Sequence, residues 1–233
     1  MKINSIYENG NYLDANPTWH AEDSPWKAGK IAHLLKKNKI IVSTICEIGC
    51  GAGEILKCLA NEFGRGVVFS GYEISPQAYA VCSPKEKENL HFFHKDLFDV
   101  EELKFDVAMA IDVFEHVEDY FGFLRKFKKK GIFKIFHIPL DLSAQTVIRR
   151  SPILKSRSMV GHLHYFTKET ALATLKDTGY EVIDFFYTGG SLDIPNQGWK
   201  SKLLKLPRKI LFSIHQDLAV RLLGGFSLLV LAK

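Results

Sequence analysis

Four carboxylates, Glu47, Glu73, Asp96 and Asp112, each stand at or just beyond the end of a run rich in apolar residues. After the first comes Gly49-Cys50-Gly51-Ala52-Gly53, three alternate glycines that lead into a helical pattern. Gly takes positive φ without a Cβ penalty and lets a ligand approach the backbone. A strand, a Gly-rich turn and a helix start in succession form a frequent seat for a nucleotide-like ligand. A second group is Asp112-Val113-Phe114-Glu115-His116, with His162 and His164 further along. Imidazole and carboxylate together suit general base work or a divalent ion. His20, His137 and Asp141 complete the candidate bases.

These groups act together only if the elements carrying them end at one edge. Residues 40–48, 67–74, 90–94, 105–111, 132–138, 180–187 and 226–232 read as strands, the fifth stopped by Pro139. Helices are expected from Ser24-Pro25, with Ser24 as N-cap, over 53–63, 76–82 and 113–130, and from Thr167 to Gly179. In the helix over 113–130, Phe114, Val117, Phe121 and Leu124 would share one face. The alternation predicts one α/β domain, a doubly wound Rossmann-like sheet, with an arm at 1–23 and excursions at about 140–165 and 188–225. Ligands of such sheets bind at the carboxyl ends of the strands, where all four acids fall.

The glycine spacing is GxGxG, and Glu54 stands where a dinucleotide fold needs its third glycine. A carboxylate there would repel a pyrophosphate. Glu73 follows Gly53 by twenty residues, an offset that suits a carboxylate accepting from two ribose hydroxyls. Asp96 is placed to accept from the exocyclic amine of a base. The edge therefore fits an adenosine-like ligand without phosphate, such as a sulfonium with an amino-acid tail.

Glu47-Ile48-Gly49-Cys50-Gly51-Ala52-Gly53 resembles the first motif of class I S-adenosylmethionine-dependent methyltransferases. Glu73-Ile74-Ser75, Asp96-Leu97-Phe98 and Asp112-Val113-Phe114-Glu115-His116-Val117 resemble the second, third and fourth. Gly161-His162-Leu163-His164-Tyr165-Phe166-Thr167, with Gly179-Tyr180-Glu181-Val182, is similar to the small-molecule branch, which includes ubiquinone-biosynthesis-type enzymes. The resemblance spans roughly 25–232. It implies seven strands, the last antiparallel and inserted beside the sixth. It implies that Glu47 and the loop through Gly49, Cys50, Gly51 and Gly53 seat the methionine end of the cofactor. Glu73 would hold the ribose, Ile74 and Leu97 would flank the adenine, Asp96 would bind its amine, and Asp112 would lie near the methionine or the acceptor. His116, His162 and His164 are then the candidate bases. Asp112, Glu115 and His116 are similar to the E-x-x-E-H metal arrangement of some O-methyltransferases; the primary expectation is a reaction without metal.

The remaining features bear on partners and location. Trp19, His20 and Trp26 are candidates for a lid. Residues 199–212 form a basic amphipathic stretch that could rest on an anionic membrane, cap an acceptor or pack on the sheet. The net charge of +5 is too small to mark a nucleic-acid binder. Cys46, Cys50, Cys58 and Cys82 lack CxxC spacing, which favours reduced thiols in a cytoplasmic protein. The N-terminus has no signal-peptide core, and no apolar run would span a bilayer. The function expected is methyl transfer to a small-molecule acceptor at oxygen. Alternatives are an RNA or protein methyltransferase, a nicotinamide-dependent oxidoreductase, and a non-catalytic cofactor-binding subunit.

Overall fold

A computed structural model describes residues 21–101, 104–189 and 199–233, with backbone alone for 199–205. Helix α1 (Ser24–Lys37) buries Ala28, Ile31, Ala32 and Leu35, the apolar stripe of its sequence, and ends in Lys36 and Lys37. Its cap differs from expectation. A 3₁₀ turn at Ala21–Asp23 puts Asp23 at the cap in helical geometry, without a side-chain cap bond, so Ser24 is already helical. Strand β1 (Thr44–Ile48) is shorter than the run 40–48 suggested. Lys39 has φ 55°, Ile40 N donates back to Leu35 O, and Ile41 is exposed, so the chain is still leaving α1 there.

Then follow α2 (Glu54–Phe63), β2 (Val68–Glu73), α3 (Pro76–Cys82), β3 (Leu90–His94) and β4 (Phe105–Ile111). The single helix expected over 113–130 is divided. A 3₁₀ turn, Phe114–His116, is followed by α4 (Tyr120–Phe127), which begins afresh where Asp119 Oδ1 accepts from Gly122 N at 2.8 Å. Strand β5 (Gly131–Leu140) runs through Pro139 rather than stopping there. Pro139 lies beyond the last β4 pair, Ile111 with His137, and faces only Ser227, so its missing N–H interrupts no pairing with β4. The rest of the chain forms α5 (Ala144–Arg149), α6 (Ser151–Lys155), a π turn (Ser156–Val160), α7 (Lys168–Asp177), β6 (Val182–Thr188), α8 (Trp199–Ile214), α9 (Gln216–Leu223) and β7 (Phe226–Ala232).

The seven strands pair in the order β3-β2-β1-β4-β5-β7-β6. Neighbours from β3 to β5 are parallel, and β7 is antiparallel to both β5 and β6. One apolar layer holds Phe114, Phe127 and Phe136; the other holds Ile31, Leu34, Leu35 and Phe69. Phe114 sits edge-on to Phe136 and to Phe166, with ring centres 6.1 and 5.3 Å away. It pins the 3₁₀ turn that carries Glu115 and His116, and truncating such a ring to Ala costs about 3–5 kcal/mol.

Candidate functional site

The Gly loop is shaped by backbone that only glycine adopts freely. Gly49, Gly51 and Gly53 have φ of 66°, 53° and 73°. A Cβ on Gly53 would stand 2.6 Å from the Phe92 ring and 2.9 Å from Cys82 Cβ. The loop is moored to the end of β2: Gly49 N donates to Tyr72 O at 2.8 Å, and Gly51 N donates to Glu73 Oε2 at 2.8 Å. The other Glu73 oxygen accepts from Ser75 N at 2.8 Å. Burial pushes the Glu73 carboxyl up, against the pull of those N–H donors. Glu47 is buried, its Oε2 has no hydrogen-bond partner, and desolvation raises its pKa well above the ordinary range. Glu54 is less repulsive to phosphate than its sequence position suggests, because Lys85 and Lys57 pair with it at 2.8 and 3.1 Å.

Past β4 the chain turns at Asp112, whose φ of 54° is uncommon for a residue other than glycine. Its Oδ2 accepts from Lys27 Nζ of α1 at 2.8 Å, and its Oδ1 lies 2.6 Å from His137 Nδ1. His137 Nε2 continues to Thr188 Oγ1 at 2.8 Å. Burial alone would raise the Asp112 carboxyl, but the charges of His137 and Lys27 outweigh it and hold the carboxyl far below its usual range. Burial likewise pulls Lys27 down, and Asp112 more than compensates. This array joins α1, β4, β5 and β6.

Across the same edge lie Glu115, His116 and His162, with one ligand atom from each within 4.8 Å of the others. Glu115 is fully buried and neither carboxyl oxygen has a hydrogen-bond partner. Burial, then the nearby Asp112 charge, push its pKa well up. His116 is pulled down to about 4 by burial and by His162, so its imidazole is neutral at pH 7. The two rings meet edge-on at 4.8 Å. His162 Nδ1 lies 2.6 Å from Asp141 Oδ2, which leaves Nε2 as the ring's second nitrogen. The backbone N–H groups of Leu163 and His164 donate to Glu115 O at 2.8 and 3.1 Å, locking this segment to the 3₁₀ turn.

A cavity of about 660 Å³ connects the two halves. Of the expected cofactor residues, Glu47, Gly49, Cys50, Gly51, Gly53, Glu73, Ile74 and Asp112 line it, as do Trp26, His116 and His162. Asp96 and Leu97 are not on this wall. Asp96 accepts from Phe98 N at 2.9 Å, and the resulting turn, Leu97–Asp99, drives Leu97 completely into the core. His164 is also off the wall: its Nε2 bonds Val117 O at 2.9 Å and its ring packs on Tyr120 at 4.3 Å. Asp112 stands apart from the three-residue cluster because both its oxygens are engaged, and His162 takes the third place there. Trp19 and His20 lie outside the described residues. Lys27 and Thr188 were not expected here. Lys27 reads as one cation on a helix, and Thr188 reaches His137 only because β6 joins the sheet through β7.

The model of the family described as "Methyltransferase domain" matches residues 20–184. A search of the curated proteins gives no match. Among solved structures, the chain is similar to magnesium protoporphyrin IX methyltransferase from Synechocystis PCC 6803 with bound SAH (TM-score 0.60, 15% identity, covering 89% of this chain and 82% of that one). It is similar to a chain of the complex between the Haloferax volcanii Trm112 methyltransferase activator and a methyltransferase (TM-score 0.64, 15% identity, 99% and 96%). It is also similar to the N-methyltransferase NodS from Bradyrhizobium japonicum WM9 in complex with S-adenosyl-L-homocysteine (TM-score 0.55, 16% identity, 92% and 90%).

Proposed function

This chain belongs to the methyltransferase domain family and is a class I S-adenosylmethionine-dependent methyltransferase, and from that premise we propose that it methylates an oxygen of a small molecule, with His162 as general base. The observation that carries this reading is the continuity of the cavity from the Gly loop to His116 and His162. Its size suits a cofactor and a compact acceptor. In the proposed arrangement the Gly49–Gly53 loop and Glu47 hold the methionine end, and Glu73 and Ile74 hold the nucleoside. Lys27 and Asp112 fix the cofactor's amino-acid tail. Asp141 holds the Nδ1–H tautomer of His162, so that Nε2 accepts the acceptor's hydroxyl proton. The acceptor oxygen forms the new bond to the methyl carbon while the carbon–sulfur bond breaks. The products are the methylated acceptor, S-adenosylhomocysteine and a protonated His162. Positioning and exclusion of water supply the remaining acceleration.

The similar structures named for small-molecule and N-methyl chemistry support a small acceptor. The four free thiols fit a reducing, cytoplasmic setting. Among the described residues, no helix is long and apolar enough to cross a membrane. The test is transfer from radiolabelled S-adenosylmethionine to small phenols, alcohols, acids and amines of matched size. Label in oxygen acceptors supports the reading; label in amines, RNA or protein alone overturns it.

The cluster of Glu115, His116 and His162 favours one variant of this reading, in which the site holds a divalent ion. A buried carboxyl without a hydrogen-bond partner beside two imidazoles is a donor set suited to such an ion. These three residues would hold it, and it would polarise the acceptor oxygen. Methyl transfer that survives exhaustive chelation would rule this variant out.

A further inference from the structure

Helices α5, α6, α8 and α9 form a layer over the end of the sheet. Arg208 of α8 donates to Gln145 Oε1 of α5 at 2.9 Å and to Leu223 O at the end of α9 at 2.7 Å. A Cβ on Gly224 would lie 2.7 Å from Ser143 Oγ and 3.1 Å from a Thr146 methyl, so α5 packs tightly on the turn after α9. The outer side of this layer is unusual. Eight of the seventeen exposed large hydrophobic side chains among the described residues belong to these helices, including Ile148 at 79% and Ile214 at 76% exposure, and Met159 of the adjoining π turn is a ninth. On α8, Leu206, Ile210 and Ile214 recur every four residues and share one face. Single exposed apolar side chains are ordinary, but a collection on one layer marks a contact surface.

The charge on the same segments is one-sided. Residues 142–160 and 199–223, which span the four helices, contain ten Lys and Arg and one acid, Asp217. With a whole-chain charge of +5, the remaining residues carry a net charge of −4. We propose that this layer docks on an anionic lipid bilayer, with the aliphatic side chains entering the headgroup boundary and the cations meeting lipid phosphates. A second copy of the chain would bring like charges face to face. A nucleic acid would leave aliphatic side chains in water, because base stacking needs aromatic rings. The α5–α6 segment leads through the π turn to Val160 and His162 on the cavity wall, so the docking face adjoins the cavity.

Co-sedimentation of the full chain with vesicles tests this. Mixed phosphatidylcholine–phosphatidylglycerol vesicles should pellet it at about 0.05 M salt, and pure phosphatidylcholine vesicles should not. Raising salt to about 0.5 M should release most of it. Arg149→Glu with Arg150→Glu should lower partitioning more than about twentyfold, at roughly fivefold for each cation lost. Ile148→Gln with Ile214→Gln should also lower partitioning, with the net charge of the face unchanged. Unchanged S-adenosylhomocysteine binding shows that the variants are folded. The proposal is overturned by no pelleting with anionic vesicles at low salt, by equal pelleting with neutral ones, or by variants that pellet like wild type. It is also overturned by a dimer that vesicles leave intact, or by RNA binding that anionic vesicles cannot displace.

Discussion

Replacing Lys134 by Met should make the protein more stable at neutral pH, by an amount that shrinks in base. Lys134 lies within β5, between Ala108 of β4 and Ala232 of β7, and is 3% exposed. Its ammonium donates to Ile132 O at 3.3 Å and lies 5.7 Å from the centre of the Tyr180 ring. Burial, then Lys128, Lys104 and Lys233, lower its pKa from 10.5 to about 8. At about 1.4 kcal/mol per pH unit, the difference corresponds to ~3 kcal/mol of destabilisation while the group is charged. Met keeps the apolar stem and removes the charge, and also forfeits ~0.5–1 kcal/mol of cation–π attraction. A net gain of about 2–3 kcal/mol at pH 7 would raise Tm by roughly 5–10 °C for a chain of this size. The unfolded chain keeps the Lys proton up to about pH 10.5, and the native state loses it from about pH 8. Wild-type stability contributed by this group therefore rises with pH across that window, and its deficit against the variant closes. Urea unfolding of both proteins at about pH 7, 9 and 10.5 measures the gap. A Met variant no more stable than wild type at pH 7, or a gap that stays constant with pH, would refute the reasoning.

Four other outcomes are expected. Glu73→Ala should weaken S-adenosylhomocysteine binding by about tenfold or more in calorimetry, because Gly51 N and Ser75 N lose their acceptor; unchanged affinity would show that Glu73 does not organise the loop. Gly53→Ala should cost ~2 kcal/mol or more in chemical unfolding, since φ of 73° and the Phe92 ring leave no room for a methyl. His162→Gln should lower kcat by about a hundredfold or more. His164→Gln should change kcat by less than about threefold and cost ~1 kcal/mol of stability through the bond to Val117 O; the reverse ranking would exchange their roles.

The strands and the Gly loop were legible because their signals are local. Apolar runs followed by acids gave β2, β3 and β4 nearly to the residue, the apolar run between Gly225 and Lys233 gave β7, and positive-φ glycines announce a turn. Errors arose where a neighbouring element decided the outcome. The break after His116 depends on Asp119 capping a new helix, although the apolar spacing of 113–130 continues through it. Pro139 stays in β5 because β4 has already ended beside it. Leu97 was expected at a ligand and lies in the core, because the Asp96 cap turns it inward. The partnership of Lys27, Asp112, His137 and Thr188 joins residues far apart in the chain, and no periodicity encodes it. The pairing of His162 with Asp141 was hidden in the same way, although both residues stood among the candidate bases.

The placement of β7 between β5 and β6 also bears on how the chain matures during synthesis. Among the described residues β6 pairs only with β7, so a nascent chain that has not yet made Phe226–Ala232 lacks the strand that ties β6 to the sheet. Until then β5 presents an open edge, and Thr188 is not tethered to His137 by the sheet. The Gly loop and the β1–β4 neighbourhood can be in place seconds earlier, at ribosomal rates of about 5–20 residues per second. The link from His137 to Thr188 is therefore completed last, when β7 pairs with β5 and brings β6 into the sheet. A ribosome stalled before Phe226 would display a half-sheet with an exposed apolar edge, the kind of intermediate that chaperones shield.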